Sequence, residues 1–132
     1  MLHDRHFRLE EANARLPELE RLLRDMRAAR EQLLALGADA DLELLAEATG
    51  GGWPGHERAA ATLVLSLGFD ALEGLDVVVR DAERGIVDFP ALQDGREIYL
   101  CWHLGEPEIT HWHELQAGIA GRRPIDDAAR RR

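Results

Sequence analysis

The feature that most constrains this chain is a change of hydrophobic period near its middle. Apolar residues fall at Leu16, Leu19, Leu23, Met26 and Leu33, with Arg and Glu filling most positions between them. That spacing puts them on one stripe of a helix. After Gly74 the period drops to two: "LDVVVRD" and "GIVDF" are β-branched runs separated by "AER", with Gly85 available for a positive φ. Such a pair reads as a hairpin. Helices first and strands after, each with an apolar face to bury, describe an α+β domain.

Local signals divide the chain further. Pro17 cannot sit deep in a helix without removing a backbone hydrogen bond, so Leu9 to Arg15 reads as a short preceding turn. Gly37 is a natural helix stop. "DLELLAEAT" suggests a second short helix, and "GGGWPG" a loop. His56 to Leu75 returns to helix, with Ala60, Leu63, Val64, Leu67 and Leu72 as its expected buried stripe. Pro90 is expected to end the second strand, and "QDG" makes the next turn. "REIYLCWHL" supplies a third strand, with Ile98, Leu100, Trp102 and Leu104 toward the helices and Glu97, Tyr99, Cys101 and His103 away from them. "GEP" then opens a last helix, with Pro107 near its start. The expected architecture is an antiparallel long-helix hairpin packed with a three-stranded antiparallel β-meander and a C-terminal helix. It forms one domain over 1–125: mainly helical at 6–75, meander at 76–104 and helix at 106–119, with a frayed polar tail at 126–132.

Composition excludes several function classes. A chain of 132 residues can bury a core without disulfides or a structural metal. Its single cysteine rules out an intrachain disulfide and a multi-cysteine metal site, which fits a reducing, cytoplasmic setting. No run approaches the roughly 18 apolar residues of a membrane span, and the start is charged rather than signal-like. Acidic residues outnumber basic ones by 25 to 16, giving a net charge of −9. A nucleic-acid partner is therefore not expected. Lysine is absent, which removes Schiff-base chemistry and any lysine-containing phosphate loop. No serine-centred elbow or dinucleotide fingerprint occurs.

The run "DAERGIVDFPALQDGREIYLCWHLGEPEITHWHELQAGIAGR", with the earlier "FRLEEANARLPEL", resembles a bacterial family of small uncharacterised proteins, domain of unknown function 2203. The resemblance covers residues 6 to 36 and 74 to 125 and implies a shared fold, with no established activity to carry over. Two positions depart from the family pattern. Arg8 stands where threonine is common, and losing that hydroxyl should weaken the helix start by about 1 kcal/mol. His103 stands where Arg or Lys is more usual.

Candidate chemistry gathers between Gly95 and Arg122, which holds three of the six histidines, two of the three tryptophans and the cysteine. "PEITHWHELQAGI" puts Ile109, Trp112, Leu115 and Ile119 on one helical stripe, so His111 and His113 are expected roughly 160° apart around its axis, unable to share an ion. Glu108 with His111, and His111 with Glu114, keep the three-residue spacing by which helices present a carboxylate and an imidazole to a metal. Glu108, His111 and Glu114 are thus the candidate metal ligands. Glu10, Glu11, Glu18 and Glu20 flank the front stripe rather than sit on it, so further carboxylates for a dinuclear site are lacking. Cys101 and His103 share a strand face, where a Cys–His pair could act as a nucleophile, although a lone strand cysteine ordinarily packs as a small apolar group. Asp88 is an anomaly, because a carboxylate on the face of Ile86 needs a partner such as Arg96, Arg122, His113 or backbone amides. Asp88, Arg96, Tyr99, Trp102, His113 and Arg122 form the candidate ligand set.

Two readings follow. One is a non-catalytic module that self-associates, as a homodimer through the long helices, or binds a partner. The other is a metal- or small-ligand-binding protein with a polar site where the β-hairpin meets the last helix. No cofactor is firmly implied; a divalent metal is the one left open.

Overall fold

In the computed structural model, which describes residues 1–37 and 53–126, the chain is α+β. Among the described residues, helices α1 (Leu9–Ala14), α2 (Leu16–Gly37) and α3 (Trp53–Gly74) precede five strands. These are β1 (Val78–Asp81), β2 (Ile86–Gln93), β3 (Arg96–His103), β4 (His111–Glu114) and β5 (Arg123–Pro124), with a short 3-10 turn at Ile119–Gly121. The strands pair in sequence order, each antiparallel to the next. Among the described residues no helix is long and apolar enough to cross a membrane.

The front helices follow their periodicity. α2 buries Leu16, Leu19, Leu23, Met26 and Ala29, and Pro17 sits in its first turn, where no N–H is needed. The short turn expected ahead of it is α1, a helix of six residues. Arg8 caps α1 without a hydroxyl. Its backbone N–H donates to Glu11 Oε1 at 3.2 Å, so the reciprocal half of a capping box survives.

α3 departs from expectation on its buried face. Of the stripe expected there only Leu72 is buried; Ala60, Leu63, Val64 and Leu67 are exposed, and Ala61, Gly68 and Leu72 turn inward. The segment is apolar almost all round, so its composition does not mark one face. Gly68 decides it, because Met26 fills the space a side chain would take: a Cβ there would lie 2.6 Å from both Met26 Cγ and Sδ. α3 also begins at Trp53, inside the expected loop; "DLELLAEAT" and the rest of that loop lie outside the described residues, as does the expected tail from residue 127.

The sheet turns one face to the helices. Val87, Phe89 and Ala91 from β2 and Ile98, Leu100 and Trp102 from β3 form one cluster with Leu16, Leu19, Leu23, Met26 and Leu72. Each large side chain so buried contributes about 1.5–3 kcal/mol. The β1–β2 turn uses Gly85 at φ 77°, and the β2–β3 turn is the two-residue Asp94–Gly95, both at positive φ, as a tight hairpin requires. β2 does not stop at Pro90. β1 pairs no further than Asp88, so the missing N–H of Pro90 costs no ladder bond, while its carbonyl accepts from Phe7 N–H at 2.7 Å.

The last element is the main correction. No helix spans 106–119; the meander continues into β4 and β5, giving five strands rather than three. Ile109 and Trp112 sit at helical spacing, but a four-residue strand offers two residues per face, too few to display a period. Tertiary contacts settle it. Ile109 is buried and its N–H donates to Asn13 Oδ1 at 2.8 Å, and β4 pairs Tyr99 with His113 and Cys101 with His111.

Candidate functional site

Strand alternation places Asp88 of β2, Glu97, Tyr99, Cys101 and His103 of β3, and His111 and His113 of β4 on the sheet face turned away from the helices. Asp88 lies directly opposite Cys101, and Tyr99 directly opposite His113. Asp88 and His113 are each 1% exposed, the two charged or polar residues in the described interior. Asp88 Oδ2 accepts from Arg80 Nε at 2.8 Å and lies 2.9 Å from His113 Nε2.

The proton inventory of this pair is informative. His113 Nδ1 lies 2.7 Å from the Glu114 carbonyl oxygen, which can only accept, so Nδ1 carries a hydrogen. The contact between Nε2 and Oδ2 then needs a second proton between two groups that would otherwise both be acceptors. A cation in that position would replace the proton. Asp88 Oδ1, meanwhile, is buried with no hydrogen-bond partner. Such an orphan costs about 1–3 kcal/mol.

Cys101 completes the group. Its Sγ, a carboxylate oxygen of Asp88 and a ring nitrogen of His113 lie within 4.8 Å of one another, and all three residues are buried. Burial pushes the Cys101 thiol up to about 11, reinforced by the Asp88 charge and opposed by Arg122, whose Nε donates to Sγ at 3.3 Å. That is the wrong direction for a nucleophile. Both nitrogens of His113 are committed elsewhere, so it cannot serve Cys101 as a base. His103 shares this face, but the side chains that hydrogen-bond Cys101 are Arg122 and Asp88, not His103; burial, then Arg122, lowers the His103 pKa, and its Nε2 is buried without a partner.

A cleft of about 270 Å³ opens beside the three residues, walled by Arg80, Arg84, Ile86 and Ile119. The N-terminal residues close the neighbouring stretch of the same face. The Leu2 and His3 N–H groups donate to Glu97, His6 Nε2 lies 3.1 Å from it, and His3 Nε2 lies 2.6 Å from Tyr99 Oη. Burial pushes the Glu97 carboxyl up, but these donors outweigh it and hold it at about 2. A second cavity of about 200 Å³ on the helix side is walled mainly by carbon, from Phe7, Ala91, Ile98, Leu100, Trp112 and Ile125. It holds no comparable cluster.

Of the ligand set read from sequence, Asp88, Tyr99, His113 and Arg122 meet on this outer face. Trp102 does not: it is fully buried on the helix side, its Nε1–H donating to the Glu106 carbonyl. Arg96 pairs with Glu114 at 2.9 Å at the exposed edge. The metal set does not converge, because its spacing presumed a helix. Glu108 lies exposed before β4, Glu114 is held by Arg96, and His111 Nδ1 lies 2.8 Å from Thr110 Oγ1. On a strand His111 and His113 do share a face, contrary to the helical reading, but only His113 joins Asp88 and Cys101. Sequence reasoning missed Arg80, Arg84 and the placement of Cys101 beside Asp88 and His113. The signal for Arg80 was its place in "VVVRD", yet a register shift between Val79 and Asp81 decides where it points.

These features define a class: an α+β protein whose helix-backed antiparallel meander carries a buried Asp–Cys–His cluster on its outer face. The chain belongs to the family of uncharacterized conserved proteins DUF2203, which it matches over residues 5–125. No curated protein and no solved structure matches it.

Proposed function

We propose that the protein binds a divalent metal ion through Asp88, Cys101 and His113. The observation that carries this reading is the unpartnered Asp88 Oδ1, buried beside a thiol and an imidazole whose far nitrogen is already fixed on a backbone carbonyl. Metal-binding histidines are ordinarily held this way. Bonds of about 2.0–2.3 Å place donor atoms roughly 3.2–3.8 Å apart around a tetrahedral ion, so small side-chain rotations would close the site. A mixed sulfur, nitrogen and oxygen set suits zinc or another late first-row ion better than magnesium or calcium. Three protein donors leave a fourth position open, the pattern of reactive rather than purely structural zinc sites. Metal analysis and zinc titration of untagged protein test it. About one equivalent is expected, with binding weakened by about 100-fold in Cys101→Ser. Less than about a tenth of an equivalent, with no thermal shift on adding zinc, manganese or iron, would sink the proposal.

A second reading concerns self-association. Leu63 and Leu67, 57% and 58% exposed, lie one helical turn apart on the outside of α3 beside Val64, with Phe69 also exposed. An exposed apolar stripe of this kind supports a homodimer through the long helices. Light scattering on sized protein checks it. A dimer that Leu63→Ser/Leu67→Ser dissociates is expected; a monomer at about 100 µM removes the reading.

A further inference from the structure

Resting on the metal-centre reading, we infer that the cleft beside Asp88, Cys101 and His113 binds a short-chain monocarboxylate, its carboxylate on the open position of the ion and on Arg84.

Charge comes first. The two positive charges of the ion would be balanced by the Cys101 thiolate and the Asp88 carboxylate. Around them the cleft adds Arg80, Arg84 and Asp81, which leaves one net positive charge. Arg80 is spent on Asp88 through its Nε at 2.8 Å. Arg84 is held only loosely: its Nε is 3.8 Å from Asp81 Oδ2 and its side chain is 79% exposed. A guanidinium at the mouth of a cleft, free to close on a ligand, is suited to a carboxylate. One net charge is matched by a monoanion.

Shape and polarity come second. The cleft measures about 270 Å³, just below the roughly 300–1,000 Å³ of pockets that take drug-sized molecules. Its remaining walls include Ile86 and Ile119. Inorganic phosphate, hydrated all round and without a hydrocarbon body, would leave those walls unused. An acid with a short hydrocarbon body would cover them and keep its charge at the ion.

Cobalt(II) in place of zinc gives a direct test with butyrate as the probe. A thiolate-to-cobalt charge-transfer band, absent from Cys101→Ser, reports whether the ion is bound at all. If it never forms, the metal centre falls and this inference with it. Where it forms, butyrate should shift the visible cobalt bands in a saturable way, and the neutral isostere butyramide should not. Arg84→Gln should weaken butyrate by about tenfold, with cobalt occupancy read from the charge-transfer band of the same sample. Unmoved visible bands with the charge-transfer band present would overturn the carboxylate site and leave the metal centre standing. Phosphate displacing butyrate at equal or lower concentration would also overturn it.

Discussion

Asp88→Asn separates a purely structural ion pair from a metal centre, because it keeps the side-chain shape and removes the charge. Without metal, Asp88 takes two charge-assisted hydrogen bonds, from Arg80 at 2.8 Å and with His113 at 2.9 Å. Each such bond is worth about 1.5–3 kcal/mol when buried. Arg80 is 45% exposed, so water takes over much of its share. The buried His113 contact dominates the loss, which comes to about 2–3 kcal/mol. For a chain of this length that is about 6–12 °C in Tm. Calorimetry in chelator measures it, and an unchanged Tm would refute the charged pair. Zinc supplies the second half. At 100 times its Kd the ion stabilises the wild type by about 2.7 kcal/mol. If the substitution weakens binding by about 100-fold, the same zinc concentration gives the variant only about 0.4 kcal/mol. Equal zinc-induced shifts in the two proteins would refute Asp88 as a ligand.

Three further outcomes are expected. With its thiol at about 11, Cys101 should react with iodoacetamide at pH 8 at least about tenfold more slowly than free cysteine; zinc affinity should climb with pH, since the thiol must lose its proton, and a fast-reacting Cys101 or a flat pH profile contradicts this. Glu97 has a folded pKa of about 2, below its ordinary 4.5, so its contribution is complete above the ordinary value and is lost as pH falls toward 2. Protection factors at Leu2 and His3, taken against the intrinsic exchange rate at each pH, should fall across that window, and Glu97→Gln should remove that fall; no protection at neutral pH would contradict the strap. Gly68→Ala forces a Cβ to 2.6 Å from Met26 Cγ and Sδ. Urea denaturation should show a net loss of about 1–2 kcal/mol, overpacking outweighing the better helix propensity of alanine, and a stabilised variant would mean that Met26 moves aside freely.

Much of the fold was legible from local rules. The stripe of α2, the Asp94–Gly95 turn, Gly85 and the two faces of β3 all follow from period and turn chemistry acting within a few residues. Asp88 was legible as a carboxylate on a face that needed a partner, with His113 among the partners offered. The unread parts depend on distant contacts. Ile109, Trp112, Leu115 and Ile119 sit at helical spacing and so predict a helix over β4, while the Asn13 contact that anchors Ile109 is far away in sequence. The helical spacing of Glu108, His111 and Glu114 that made them candidate ligands is lost with that helix, since in the meander they do not converge. The inward face of α3 depends on Met26 filling the space at Gly68. Cys101 looked like packing because strand pairing, not sequence spacing, brings it to Asp88 and His113.

Asp88, Cys101 and His113 come from three successive strands of one meander. Slipping β4 by a single residue would turn His113 into the core and Trp112 out to the cleft, since strand side chains alternate. An ion held by all three would therefore act as an alignment pin, present in one pairing and impossible in its neighbours. On the proposed reading, a strand of four residues that hydrogen bonding alone defines weakly would owe its correct registration to the metal it helps to hold.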